Sequence, residues 1–386
     1  MLPLATTTWD DAEYQAMQAV IERGQFSMGE CVQAFEAAFA QYTGSRYAVM
    51  VNSGSSANLL AVAALFYTQQ HALKPGDEVI VPAVSWSTTY YPLHQYGLKL
   101  KFVDVDQGTL NLDLAQLVEA ISDKTRAIFA VNLLGNPLDY LALQDFIAGK
   151  NILLIEDNCE SLGATLQGKQ TGTFGIMGTY STFFSHHIST MEGGVVVTDD
   201  EELYHIMLSL RAHGWTRNLP KDNKVCLKSD NPFEESFRFV LPGYNLRPLE
   251  LSGALGLKQL EKLPAILAGR RKNAVIFQQL FSDIPGVLIQ QETGQSSWFG
   301  FALLIEAGAS CRNALIQQLT EAKVECRPIV AGNFVRNPVV NYFDYSIHGV
   351  LTNSDRVSDC GFFIGNHHYD IGHELELIAD MIRKAL

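Results

Sequence analysis

Between residues 47 and 158 the chain repeats one pattern: a short apolar run, a turn of small or polar residues, then a helical stretch. The runs are "YAVMV" (47–51), "DEVIVPAV" (77–84), "LKLKFVDVD" (98–106), "RAIFAVNL" (126–133) and "ILLIEDN" (152–158). Spacings of roughly 20 residues leave room for a crossover helix, so successive strands are expected to run parallel. That constrains the chain to an α/β fold with a large, mostly parallel sheet covered by helices. "YSTFF" (180–184) and "GGVVVT" (193–198) add two strands, and "EELYHIMLSLRAHG" (201–214) a helix. A polar, poorly periodic segment follows from 215 to 236. A long helical region then leads into "SSWFGFALLIE" (296–306), "SCRNALIQQLTEAK" (310–323) and "VECRPIV" (324–330). These read as strand, helix and strand of a smaller α+β domain. The expected division is 1–248 for a large cofactor-binding domain and 249–386 for a small C-terminal one.

In open α/β sheets, ligands gather outside the carboxyl ends of the strands. "NSGSSANLL" (52–60) places Gly54, Ser55 and Ser56 at such a strand-to-helix turn. Amide N–H groups and the helix dipole there favour a phosphate, although an ordinary N-capped helix has the same look. Walker spacing and GxGxxG are absent, which argues against nucleoside triphosphates and dinucleotides. Trp86, in "PAVSWSTTYY" (82–91), follows another strand and is either a packed core residue or a flat face for a planar ring. "EDNCES" (156–161) ends a buried strand in carboxylates. A carboxylate there can keep a pyridine nitrogen protonated; magnesium or a sugar could use the same groups.

Two His–His pairs, 186–187 and 367–368, raise the question of a metal. Neighbouring side chains on extended backbone point opposite ways, and no HExxH or CxxC spacing supports them, so no metal is expected. The six cysteines are scattered and read as reduced thiols. A formal charge of −13 excludes a non-specific nucleic-acid binder. The charged fraction, 18%, lies below the ~25% typical of soluble domains, which favours a large core or a subunit interface. The N-terminus lacks the basic start and apolar core of a signal peptide. The apolar runs are too short to span a bilayer, so a cytoplasmic protein without membrane contact is expected.

Taken in order, "GQFSMGECVQAFEAAFA", the Gly-Ser-Ser turn, Trp86, "EDNCES", the turn ending in Glu192-Gly193-Gly194 and "GYNLRP" resemble the sugar aminotransferase family. Its members are fold-type I pyridoxal-phosphate enzymes with an aspartate-aminotransferase-like fold. The lysine that anchors the cofactor in that family lies six residues before the glutamate of this turn. Here that position is His186. The chain is therefore similar to the lysine-less branch, the sugar 3-dehydratases.

The resemblance implies pyridoxal 5′-phosphate and pyridoxamine 5′-phosphate as cofactor forms, L-glutamate as amino donor, and a GDP-linked 4-keto-6-deoxy sugar as substrate. It implies His186 as the catalytic base and Asp157 on the pyridine nitrogen. Glu160 would lie near the ring hydroxyl, Trp86 on the ring face, and Gly54, Ser55, Ser56 and Ser181 at the phosphate. Asn245 would reach the phosphate of the other subunit in a homodimer. Arg327 would clamp an amino-acid carboxylate, while Phe26, Ser27, Met28 and Arg217 would meet the nucleotide sugar. Histidine keeps the proton-shuttling task of the missing lysine but cannot hold the cofactor covalently. A 4-aminotransferase shares nearly every motif, and a cofactor-free binding subunit is the alternative of another class.

Overall fold

The computed structural model describes residues 2–70 and 72–386. Eight strands form the main sheet in the order Tyr47–Val51, Gly194–Thr198, Met177–Ser181, Leu153–Asp157, Thr125–Val131, Glu78–Pro82, Lys99–Val103 and Tyr345–Ile347. Only Gly194–Thr198 runs against the others. Five of the eight are the runs spaced by crossover helices in the sequence. The central strands Glu78–Pro82 and Met177–Ser181 are buried at every position. Burial on both faces is why they carry continuous apolar runs rather than alternation.

The helix Gly54–Ala64, "GSSANLLAVAA", follows the first strand and buries Gly54, Ala57, Asn58 and Leu60 through Ala64. A helix this apolar all round belongs inside a core, and it packs with Tyr90, Phe102, Phe129 and Ile155. Small side chains let the strands and the neighbouring helix Ser87–Gln95 approach it closely.

The 32-residue helix Glu250–Phe281 links the two halves of the chain. Its N-terminal "SGALG" lies against the helix Glu30–Thr43. A Cβ on Gly253 would meet the Val32 amide nitrogen at 2.5 Å, and one on Gly256 would meet the Phe35 ring at 2.6 Å. The C-terminal part forms a four-stranded antiparallel sheet, Val287–Ile289, Gly300–Ile305, Gly361–Gly365 and Cys326–Arg327. Not all of it stays apart. The strand Tyr345–Ile347 leaves this sheet and pairs in parallel with Lys99–Val103 at the edge of the main one. The segment 215–236 holds one short helix, Pro232–Glu235, and otherwise turns. None of the helices among the described residues is long and apolar enough to cross a membrane.

Candidate functional site

A cavity of about 390 Å³ opens at the carboxyl ends of the parallel strands. Gly54 and Ser55 enter it after Tyr47–Val51, Trp86 after Glu78–Pro82, Asn132 after Thr125–Val131, and Asp157 and Glu160 after Leu153–Asp157. Ser181 closes the strand beside it, and Ser185, His186 and Glu192 come from the turn that follows. Seven of the residues assigned to the cofactor or to catalysis thus meet in one place.

That turn is built by its own hydrogen bonds. Thr182 N–H donates to the Gly193 carbonyl at 2.9 Å, Thr190 N–H to the Thr182 carbonyl at 2.9 Å, and the two threonine hydroxyls meet at 2.6 Å. Residues 183–189 are held out between these pinning points. The two glycines answer to space: a Cβ on Gly193 would meet both threonine oxygens at 2.3 Å, and one on Gly194 the Ser53 carbonyl at 2.3 Å.

The histidines separate, but not by strand alternation as the sequence suggested. Their backbone is a turn in which His186 N–H donates to the Phe183 carbonyl at 2.9 Å. His186 faces the cavity. Its Nδ1 is buried without a partner, and its ring packs on Phe299 at 5.1 Å. Burial, reinforced by the charge of Arg270, holds its imidazole down to about 4. It therefore stands neutral at physiological pH. His187 turns away, is fully buried, and shares a 3.0 Å hydrogen bond between its Nε2 and the Ser297 carbonyl. His367 lies elsewhere, against Thr6 and the Pro3 carbonyl. Among the described residues no group of three or more His, Cys, Asp or Glu side chains is arranged to hold a metal.

Asp157 is the most firmly placed group in the cavity. Its Oδ2 accepts from Asn58 Nδ2 and Thr89 Oγ1, each at 2.8 Å, and its Oδ1 from the Cys159 N–H at 3.2 Å. These three donors fix the direction of the carboxylate. Glu160 accepts from the Leu134 N–H at 2.9 Å. Burial pushes its carboxyl up to about 7, with that hydrogen bond opposing and the charge of Asp157 adding. Trp86 presents an indole that is 59% exposed, so it is a cavity wall and not a packed core residue. Ser53 caps the helix Gly54–Ala64 through the Ser56 N–H at 3.0 Å. The Ser56 hydroxyl donates to Asn52 at 2.6 Å, so Ser56 serves the cap and does not line the cavity. Ser55 and Ser181 face in.

Besides Ser56, six assigned residues lie outside the cavity of the single chain. Asn245 accepts from Arg247 Nε at 3.0 Å. Ser27 bridges to Leu249 beside Phe26 and Met28. Arg217 stacks its guanidinium 5.7 Å from the Trp215 ring centre, and Arg327 is exposed on the strand Cys326–Arg327. Sequence reasoning missed Asn58, Thr88, Thr89 and Ser185. Asn58 left a signal, a lone amide inside an otherwise apolar helix. The other three left none.

The residues suit a flat aromatic cofactor with a phosphate tail: a helix N-terminus with serines, a fixed carboxylate, an exposed indole and a neutral histidine. No lysine lines the cavity. A model of the DegT/DnrJ/EryC1/StrS aminotransferase family matches residues 7–380. The chain belongs to that family. It is 58% identical, over 385 residues covering 99% of this chain and 98% of the relative, to the GDP-4-keto-6-deoxy-D-mannose 3-dehydratase of Yersinia pseudotuberculosis. Among solved structures it is similar to a GDP-4-keto-6-deoxymannose-3-dehydratase with a trapped PLP-glutamate geminal diamine. That match has a TM-score of 0.98 and 56% identity, covering 99% of this chain and 100% of the other. A histidine-to-asparagine mutant of such an enzyme, with bound GDP-perosamine, matches with a TM-score of 0.97 at the same identity and coverage. The fold of the family is thus shared over the full chain, and the likeness lies with members named as dehydratases.

Proposed function

We propose that this chain removes the C3 hydroxyl of GDP-4-keto-6-deoxy-D-mannose, giving the 4-keto-3,6-dideoxy sugar and ammonia, with L-glutamate supplying the amino group. The cofactor is pyridoxal 5′-phosphate, used as its pyridoxamine form. The observation that carries the reading is His186: a neutral, cavity-facing imidazole in a pocket without a lysine.

When bound, the cofactor supplies an electron sink conjugated to the carbon that bears the amine. The chain does the rest. Asp157, held by Asn58, Thr89 and the Cys159 N–H, keeps a proton on the ring nitrogen. Glu160 offers an oxygen to the ring hydroxyl. The N–H groups opening the helix Gly54–Ala64, with Ser55 and Ser181, hold the phosphate, and Trp86 covers the ring. His186 accepts the proton released at the amine-bearing carbon and hands it to the C3 oxygen as that group departs. A histidine does this without holding the cofactor by a covalent bond; the nitrogen left on sugar C4 is lost as ammonia when water hydrolyses that carbon–nitrogen bond to the 4-keto group.

A homodimer with shared sites belongs to the same proposal. Asn245, Arg217, Phe26, Ser27 and Met28 lie outside the cavity of their own chain; Phe26 is exposed, as are Leu249 beside Ser27 and Phe237 and Phe239 against Trp215. Apolar surface of that kind favours burial against a second copy. The division at 248/249, an amino-acid carboxylate on Arg327 and a cytoplasmic location are proposed with it.

Incubation with cofactor, glutamate and GDP-4-keto-6-deoxymannose, followed by mass analysis of the sugar, tests the function. The proposal expects loss of the C3 oxygen with release of ammonia. A sugar that retains nitrogen would make the chain a 4-aminotransferase, and no cofactor spectrum at all would make it a binding subunit.

A further inference from the structure

The two His–His pairs of the sequence converge on one side chain that no sequence motif marks. Arg270, on the helix Glu250–Phe281, is 5% exposed. All four imidazoles, of His186, His187, His367 and His368, lie within electrostatic reach of its charge. Its Nη1 donates to the Trp298 carbonyl at 3.3 Å and the Phe299 carbonyl at 3.1 Å, while Nε finds no partner. No carboxylate pairs with it among the described residues, and burial alone pulls its guanidinium down to about 10.

A buried guanidinium without a counter-ion is costly. Two carbonyls could be satisfied by a neutral amide, so hydrogen bonding does not by itself call for the charge. What lies beyond those carbonyls does. Trp298 has a left-handed backbone, φ 49°, and the next residue, Phe299, packs its ring on both His186 and His187. Asn366 Nδ2 ties the Arg270 carbonyl to that of Trp298, at 3.1 and 2.9 Å. The charged and titratable groups around His186 are Arg270 from the long helix and His187 from its own turn. Glu192 ends the same turn, and Asp157, Cys159 and Glu160 line the cavity from the strand end Leu153–Asp157.

We propose that Arg270 is a positioning residue for His186: it clamps the 298–299 segment that seats the imidazole and sets an unpaired positive charge beside that seat. The inference rests on His186 being the proton carrier. Conventional acid–base pairs orient a histidine with a carboxylate, which favours the imidazolium. A cation behind the ring favours the neutral form instead and, once the ring has taken a proton, makes it a stronger acid toward the departing C3 oxygen.

The test uses Arg270→Gln, which keeps amide donors for the two carbonyls but no charge, and Arg270→Lys, which keeps the charge. The His186 ring is followed by NMR titration in the protein without cofactor, with His186→Asn assigning the signal. The pH profile of the reaction with glutamate is measured beside it. Removing this charge should raise the His186 midpoint by roughly one pH unit in Arg270→Gln. The acid limb of the profile should move with it, and Arg270→Lys should leave the midpoint in place. An unmoved midpoint in folded Arg270→Gln, with His186→Asn inactive, would overturn the role of Arg270 alone. Full activity in His186→Asn would overturn the proton-carrier reading and, with it, the purpose given to Arg270. Should Arg270→Gln not fold, Phe299→Leu tests the seat: slower reaction at an unchanged midpoint supports it, and an unchanged rate overturns it.

Discussion

Gly54→Ala offers a test of the phosphate end of the cavity in which two effects of known sign compete. Gly54 is the first residue of the helix Gly54–Ala64, where alanine is favoured over glycine by at most ~1 kcal/mol. An added Cβ, however, would meet the Ser181 Cβ at 2.6 Å, its Oγ at 3.0 Å and the Cys159 Sγ at 3.1 Å. The first contact is with the root of a side chain on a central strand, which cannot swing aside. Overpacking of this kind costs about 1–3 kcal/mol, so the net effect on stability runs from about nothing to about 3 kcal/mol of loss. Binding should suffer more clearly, because both Gly54 and Ser181 line the cavity at the proposed phosphate position. Loss of one hydrogen bond to a charged group, about 1.5–3 kcal/mol, predicts cofactor affinity weaker by roughly 10- to 150-fold. Calorimetric melting and an absorbance titration with pyridoxal phosphate measure the two quantities. Adding Ser181→Gly removes the opposing Cβ and should recover the melting temperature, whereas Ser181→Ala should not. Wild-type affinity in Gly54→Ala, or equal rescue by glycine and alanine at 181, would refute the steric reasoning.

Borohydride should not fix the cofactor to any peptide spanning 180–194, because no lysine lines the cavity; peptide mapping that finds a pyridoxyl-lysine from the pocket would reassign the site. Mixing inactive His186→Asn subunits with inactive Asn245→Ala subunits should restore partial activity through hybrid dimers, and full activity in a strictly monomeric preparation would contradict the shared site. His187 is kept neutral by burial, well below its ordinary value. The unfolded chain therefore binds the extra proton below about pH 6.5, and stability falls as pH drops through that range. His187→Gln, whose amide can still donate to the Ser297 carbonyl, should show a smaller fall in melting temperature between pH 7 and 5.

The core of the fold was legible because buried parallel strands announce themselves as apolar runs at crossover spacing. "LLIED" and "EVIVP" became strands of the main sheet, and the residues after them became cavity walls. Less visible were the elements whose place depends on distant partners. Tyr345–Ile347 is too short and polar to read as a strand, and its seat beside Lys99–Val103 is set by the fold of all the residues between them, 104–344. Thr89 and Arg270 show the same limit in the site. Each is an ordinary helix residue locally, and each matters only through what it meets: Asp157 for one, the 298–299 segment and two histidines for the other. Ser56 shows another side of it: its N–H and hydroxyl are engaged in the helix cap, which the local sequence does not display.

The central claim is that His186, and not its neighbour, moves the proton. Single-turnover reaction with glutamate, followed by the change in cofactor absorbance, tests it in His186→Asn and His187→Gln side by side. A positioned base contributes roughly 10²–10⁴-fold, so His186→Asn should slow by that factor while His187→Gln stays within a few-fold of normal and loses only stability. Near-normal turnover in His186→Asn with a dead but folded His187→Gln would contradict the account.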